Sequence, residues 1–247
     1  MPSTHVYELP MRWADLDSLN HVNNVVYLDY AAEARAVLIA EGQLTDAPPS
    51  SMKVEFLRPL LLSQTPVTIV STIDGDDVLQ EICIQKDDGR SMFCRVTTHY
   101  ATGGALEAVD AELPAGSTRV RRSDLTEAGQ VSTTKMFELF QEGRVLFLYG
   151  LLEGMSPGRF VVGTVDVRFG SPLMWRHEPY EHRSWISRIG DSSFTVDAEI
   201  AGGDAVFAQA TSTLVGFDLP VQRSRKLEPA EVEQLGAGML SEPNSPS

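Results

Sequence analysis

The chain has 247 residues, 43% hydrophobic and 22% charged, with a formal net charge of −14 at pH 7. This is enough for one large domain or two small ones with a buried core. The acidic balance argues against a nucleic-acid partner or an anionic membrane, because phosphate surfaces bind through Lys and Arg.

In chain order, His5 to Trp13 reads as a strand and Ala14 to Asn20 as a polar loop. Tyr27, Leu28, Ala31, Ala34, Val37 and Leu38 then recur at helical spacing, and Gly42 stands where a left-handed cap would end the helix. The apolar positions span more than one stripe, so the helix is expected to be wrapped by other elements. After Pro48 and Pro49, strands are expected over Met52 to Arg58, Pro66 to Ile73, Val78 to Gln85 and Met92 to Ala101, with Asp88 and Gly89 as a hairpin turn.

The second half repeats the first. Asp15, Leu16, Val22, Glu33 and Arg35 recur 109 residues later as Asp124, Leu125, Val131, Glu142 and Arg144. Val54, Phe56, Pro59, Leu60, Pro66 and Ile73 recur 113 residues later as Val167, Phe169, Pro172, Leu173, Pro179 and Ile186. So long a period is a duplicated domain and not a solenoid. The expected division is a first copy over 1–103, a linker over 104–116, a second copy over 117–226, and a tail over 227–247 that begins with a short helix and is otherwise mobile. Two copies can cover each other's open sheet edges, so the chain is expected to be its own pseudo-dimer, with further homo-oligomerisation open.

No apolar run approaches the roughly 18 to 20 residues that cross a membrane, and the first residues lack the apolar centre of a signal peptide, so the expected location is cytoplasmic. Cys83 and Cys94 are too few for a disulfide framework and read as small core residues. His5, His99, His177 and His182 show no ligand spacing, so no metal and no cofactor is expected. Small phosphate groups need only a local basic cluster. Arg119, Arg121 and Arg122, then Arg223, Arg225 and Lys226, are candidates with Arg58, against the alternative of solvated charges at strand ends.

The chemistry concentrates in Asp17 to Arg35, DSLNHVNNVVYLDYAAEAR. Asp17 precedes His21 by four residues, in a loop that runs into the helix, where unpaired backbone N–H groups and the helix dipole can hold a developing oxyanion. The alternative for Asp17 is a helix N-cap, and for His21 a polar residue satisfied at a helix start. Asn23 and Asn24 suit side-chain bonds that brace the loop, and Tyr27 suits the core.

With Asp17, His21, Val22, Asn23, Asn24 and Tyr27 at these positions, the stretch resembles the signature of hotdog-fold acyl-thioester hydrolases. The likeness is to bacterial acyl-CoA thioesterases, plant acyl-ACP thioesterases and, more distantly, the 4-hydroxybenzoyl-CoA thioesterase group. It implies an α+β double hotdog: two tandem copies, each a curled antiparallel sheet wrapped around a long central helix. It implies Asp17 as general base or nucleophile, His21 polarising the carbonyl or positioning water, and an oxyanion and substrate site including Asn23, Asn24 and Tyr27. The substrate implied is an acyl-CoA, with acyl-ACP or a non-catalytic acyl-CoA-binding module as alternatives. Leu19 stands where plant acyl-ACP thioesterases carry an amide, which leans towards CoA. A dehydratase would need a different order of His and carboxylate. In the second copy Thr126 falls opposite Asp17 and Gln130 opposite His21, so one active site per chain is expected, with the second copy as structural partner.

Overall fold

The computed structural model describes residues 2–240 apart from 88, 112, 114, 157 and 204. It divides into two compact units, Met1–Gly103 and Gly104–Ser247. The first runs β1 (Ser3–Leu9), a 3-10 turn (Trp13–Asp15), α1 (Val26–Ala40), β2 (Ser51–Phe56), β3 (Val67–Asp74), β4 (Asp77–Lys86) and β5 (Gly89–His99). Its strands lie in the order β1-β3-β4-β5-β2, each pair antiparallel. The second runs β6 (Ala115–Thr118), a 3-10 turn (Arg122–Asp124), α2 (Thr133–Leu151), β7 (Phe160–Phe169), β8 (Tyr180–Ile189), β9 (Ser193–Gly202), β10 (Ala205–Asp218), β11 (Arg223–Ser224) and α3 (Pro229–Gly236). Its order is β6-β8-β9-β10-β7, with β11 on β10. The two units therefore share one strand order. Each lays an antiparallel sheet against one long helix, and the mostly antiparallel fold is hotdog-like.

In the first unit α1 packs against β3, β4 and β5. Tyr27, Leu28, Ala31, Ala34 and Leu38 are buried with Ile69, Val78, Ile82, Cys94 and Val96. Asp29, Glu33 and Ala36 stay exposed, so the packing expected around α1 leaves one face open. Arg35 is also buried: its guanidinium donates to Gln80 Oε1 at 2.6 Å, and Gln80 Nε2 donates to the Ala31 carbonyl at 2.9 Å. Gln80 thus fastens the helix to the sheet. Gly42 has φ +70°, the left-handed conformation expected after α1.

Two sequence expectations change. The first strand ends at Leu9, not Trp13; Pro10 has no N–H to continue the ladder. Gly89 is the first residue of β5, paired with Lys86, and not a central turn residue; Asp88 lies outside the described residues. The segment after Gly104 is fastened to the second unit's sheet: Glu199 Oε2 accepts the Val109 N–H at 3.3 Å, and Gln209 Nε2 donates to the Glu107 carbonyl at 2.7 Å.

The start of the tail is also anchored. Leu235 and Glu231 of α3 are fully buried, and the Ile186 N–H donates to the Gly238 carbonyl at 2.8 Å. Residues 241–247, where a mobile end is expected, lie outside the described residues. Burial alone would raise the Glu231 pKa, but hydrogen bonds from Arg225, the Glu228 N–H and Arg159 outweigh it and hold the carboxyl at about 2. Cys83 and Cys94 are free and buried.

The second unit buries His182 on β8 against α2, with its ring edge-on to Phe140 at 5.6 Å. Burial lowers its pKa from 6.5 to about 4. The unfolded chain therefore takes up a proton at His182 that the folded chain refuses, and its share of stability falls as pH drops from about 6.5 towards 4. Between pH 7 and pH 5 this linkage amounts to about 2 kcal/mol. Urea unfolding should show His182→Phe losing that much less stability over the interval than the wild type. Equal pH dependence of the two would remove the assignment.

Candidate active site

The loop before α1 is built by a short set of hydrogen bonds. Asp17 Oδ1 accepts the N–H groups of Leu19 at 2.8 Å and His21 at 3.1 Å. The Asp17 N–H donates to the His21 carbonyl at 2.8 Å, and the Asn20 N–H to the Asp17 carbonyl at 3.1 Å. Asn20 closes the turn at φ +60°, a conformation that Asn tolerates better than most residues. Asp17 is therefore not the cap of α1. That position is Val25, which makes no side-chain cap bond. With Oδ1 held by two backbone donors, Oδ2 of the half-buried Asp17 has no hydrogen-bond partner among the described residues.

The helix start supplies donors. The Asn23 carbonyl accepts the Val26 N–H at 2.9 Å, and Asn23 Oδ1 accepts the Val25 N–H at 3.3 Å, so Asn23 braces the turn. The Asn24 N–H has no partner among the described residues. An unpaired N–H at the positive end of a 15-residue helix is suited to a developing negative charge.

A second segment completes the local frame, and sequence reasoning did not single it out. His21 pairs with Leu61 in an isolated antiparallel bridge, and the Val22 N–H donates to the Leu60 carbonyl at 2.8 Å. From the other side the Leu60 N–H donates to the Tyr27 hydroxyl at 3.1 Å. Tyr27 is 2% exposed and packs edge-on against Phe56 at 5.8 Å, so it belongs to the core and acts on the site through Leu60. Burial raises its pKa above the ordinary range, with smaller contributions from Cys94 and Asp17. Leu57, Leu61 and Leu62 beside this bridge are exposed, an apolar surface next to His21. The signal in the sequence was the repeated Pro-Leu of Pro59-Leu60 and Pro172-Leu173, which read there only as evidence of duplication.

The second unit reproduces the frame without the reactive groups. Leu125 bridges Val131 and Gln130 bridges Met174, as Leu16 bridges Val22 and His21 bridges Leu61. The Thr126 N–H donates to the Gln130 carbonyl at 2.8 Å, and the Val131 N–H to the Leu173 carbonyl at 2.8 Å. Thr126 turns its own hydroxyl back to the Gln130 carbonyl at 3.1 Å. Ser132 caps α2 by accepting the Lys135 N–H at 3.2 Å, the side-chain cap that α1 lacks.

The basic candidates fare unevenly. Arg225 is not available for a phosphate, which corrects its sequence assignment: two of its nitrogens donate to the buried Glu231 at 2.7 and 2.8 Å, and this bonding raises its pKa. Arg119 donates to the His177 carbonyl at 2.7 Å, and Arg122 stacks 3.7 Å from the centre of the Trp175 ring. Arg58, Arg121, Arg223 and Lys226 are exposed. Among the described residues no group of three or more His, Cys, Asp or Glu side chains could hold a metal, and no helix is long and apolar enough to cross a membrane.

The first unit of this hotdog-like protein carries a carboxylate and an imidazole in the loop before its long helix. Residues 2–101 match the family described as the acyl-ACP thioesterase C-terminal domain. The chain is similar in fold to three solved structures. A Lactobacillus plantarum protein described as an oleoyl thioesterase is 13% identical, with a TM-score of 0.61 over 88% of this chain and 97% of that one. The 12:0-ACP thioesterase from Umbellularia californica is 10% identical, with a TM-score of 0.59 over 90% and 94%. An acyl-ACP thioesterase from Bacteroides thetaiotaomicron is 10% identical, with a TM-score of 0.52 over 86% and 97%. No curated protein matches the sequence.

The Tyr27 hydroxyl yields a prediction that separates support from chemistry. Tyr27→Phe leaves the buried Leu60 N–H unpaired and should cost about 1–3 kcal/mol of stability. It should lower turnover less than tenfold, because no reacting group is lost. Chemical denaturation and steady-state kinetics on one preparation check both, and a loss of activity without loss of stability would move Tyr27 into the reaction.

Proposed function

We propose that the protein hydrolyses acyl-CoA thioesters to the free acid and CoA, using one active site in the first of two tandem hotdog copies. The observation that carries this reading is the state of Asp17: one carboxylate oxygen is fixed by two backbone N–H groups and the other is left without a partner, in the loop that leads to the unpaired Asn24 N–H. Fixing one oxygen sets the direction of the other, which is what a base or nucleophile needs before substrate arrives.

Asp17 takes a proton from water as that water adds to the thioester carbonyl, and the C–S bond then breaks to release CoA, whose thiolate takes up the proton; alternatively Asp17 attacks the carbonyl directly, expelling the CoA thiolate to give a mixed anhydride that water opens to the free acid. In either case the carbonyl oxygen gains negative charge. The Asn24 N–H receives that oxygen, and His21 polarises the carbonyl or orients the water. The exposed Leu57, Leu61 and Leu62 offer the apolar part of the substrate a surface beside His21.

The choice of CoA over a carrier protein rests on charge. Acyl carrier proteins are acidic, and this chain carries −14. The second reading, an acyl-ACP thioesterase, is favoured by the family match over residues 2–101.

Thiol release from acyl-CoA and acyl-ACP of equal chain length, measured side by side, decides the carrier; faster turnover of the ACP ester would favour the second reading. Asp17→Asn should lower hydrolysis by about a hundredfold or more while the protein stays folded. Thr126→Ala, at the matching place in the second unit, should change it less than twofold. Wild-type turnover in Asp17→Asn would end the assignment, and a loss in Thr126→Ala as deep as that of Asp17→Asn would end the restriction to one site.

A further inference from the structure

The two copies differ at the base of the loop that carries Asp17 and His21. In the first unit this loop is a small hairpin. The Asn23 N–H donates to the Asp15 carbonyl at 2.9 Å, Leu16 bridges Val22, and the Asp17 N–H donates to the His21 carbonyl. Asp15 closes the hairpin. Its carboxylate oxygen Oδ2 accepts two further bonds at 2.7 Å each, from the Arg12 N–H and from the hydroxyl of Tyr30 in α1. Asp15 therefore ties the hairpin to the helix that follows it, and the Asn24 N–H lies one residue beyond the closing pair.

The second unit builds the same hairpin without that tyrosine. The Ser132 N–H donates to the Asp124 carbonyl at 3.1 Å, Leu125 bridges Val131, and the Arg121 N–H donates to Asp124 Oδ2 at 2.7 Å. Under the offset of 109, Tyr30 corresponds to Leu139 and Tyr27 to Met136, so both hydroxyls are absent. The hairpin thus forms without them, and the Tyr30 bond occurs in the copy that carries the carboxylate and the imidazole.

The reaction gives this bond a use. A hydroxyl donating to a carboxylate makes one of the stronger hydrogen bonds. Tyr30 is 3% exposed, and burial followed by the bond to Asp15 raises its pKa above the ordinary range, so the hydroxyl remains a donor well into alkaline solution. Asp17 and the Asn24 N–H must act on one carbonyl group, and their separation depends on how the hairpin sits on α1. A displacement of about 1 Å can cost about a hundredfold in rate.

We propose that Tyr30 is a positioning residue: through Asp15 it holds the hairpin of Asp17 and His21 against the start of α1, so that the carboxylate and the Asn24 N–H meet the same carbonyl. This rests on the hydrolytic reading of Asp17.

The test is steady-state hydrolysis of an acyl-CoA, with melting temperature measured on the same samples. Tyr30→Phe keeps the ring and leaves Asp15 its bond from Arg12, and the second unit folds with Leu139 at this place. It should lower kcat by about tenfold or more with KM within twofold. Its melting temperature should fall less than that of Tyr27→Phe, which strands a buried N–H. Asp15→Ala should lower kcat as far, and adding Tyr30→Phe to it should lower kcat less than twofold further. Asp15→Asn keeps an oxygen that can accept both bonds and should hold kcat within threefold of wild type. Asp124→Ala removes the matching carboxylate of the second unit and should change kcat less than twofold. Wild-type kcat in Tyr30→Phe, or a fall in Asp15→Asn or Asp124→Ala as deep as in Asp15→Ala, would overturn the positioning role while Asp17→Asn remained inactive. Wild-type turnover in Asp17→Asn, or no turnover of acyl-CoA or acyl-ACP by the wild type, would instead remove the hydrolytic reading and this proposal with it.

Discussion

The first unit depends on the way Leu60 is held. Its carbonyl takes the Val22 N–H and its N–H goes to the Tyr27 hydroxyl, so one residue between β2 and β3 joins the loop before α1 to the core side of α1. A loop that carries chemistry has few apolar contacts of its own and needs such outside fixing to keep its groups within fractions of an ångström. The bridge from His21 to Leu61 extends the clamp to the imidazole's own backbone. Asp17, held through Oδ1 by Leu19 and His21, inherits its position from the same frame.

The second unit keeps the clamp with Thr126 and Gln130 in the places of Asp17 and His21, so the backbone frame does not require a carboxylate or an imidazole. Val131 and Leu173 make the bond that Val22 and Leu60 make, at the same 2.8 Å. Thr126 keeps the backbone bond of Asp17 but closes its hydroxyl onto the Gln130 carbonyl. A threonine hydroxyl has no accessible acid–base equilibrium near neutral pH, so Thr126 offers that frame no counterpart of the Asp17 carboxylate.

Polar burial is handled in two ways. Around Glu231, two arginines and a backbone N–H fully bond a carboxylate that has left water, and that network fastens α3 to the rest of the second unit. Around Arg144, 5% exposed and bonded to Ser212 Oγ at 3.0 Å, burial has instead lowered the pKa to about 10. Its counterpart Arg35 has the better partner in Gln80, which is itself bonded to α1. A repeat can therefore preserve an arginine while changing what satisfies it.

The local signals in the sequence were sufficient for element type: helical spacing for α1, alternation and turn residues for the strands, and the 109- and 113-residue offsets for a repeated strand order. They also marked Asp17 and His21, because a carboxylate and an imidazole in a polar loop before a helix lie within one short segment. What depended on distant residues was not legible. Arg225 looked like part of a basic cluster until Glu231 of α3 was brought against it, and the segment after Gly104 looked like a connector until Glu199 and Gln209 took its backbone. His182, one of four histidines without ligand spacing, is buried against Gly143, 39 residues earlier, a contact that its spacing in the sequence does not show. Periodicity reports which face of an element is apolar, whereas the partner of a buried polar group is chosen by tertiary packing, which one-dimensional spacing does not encode.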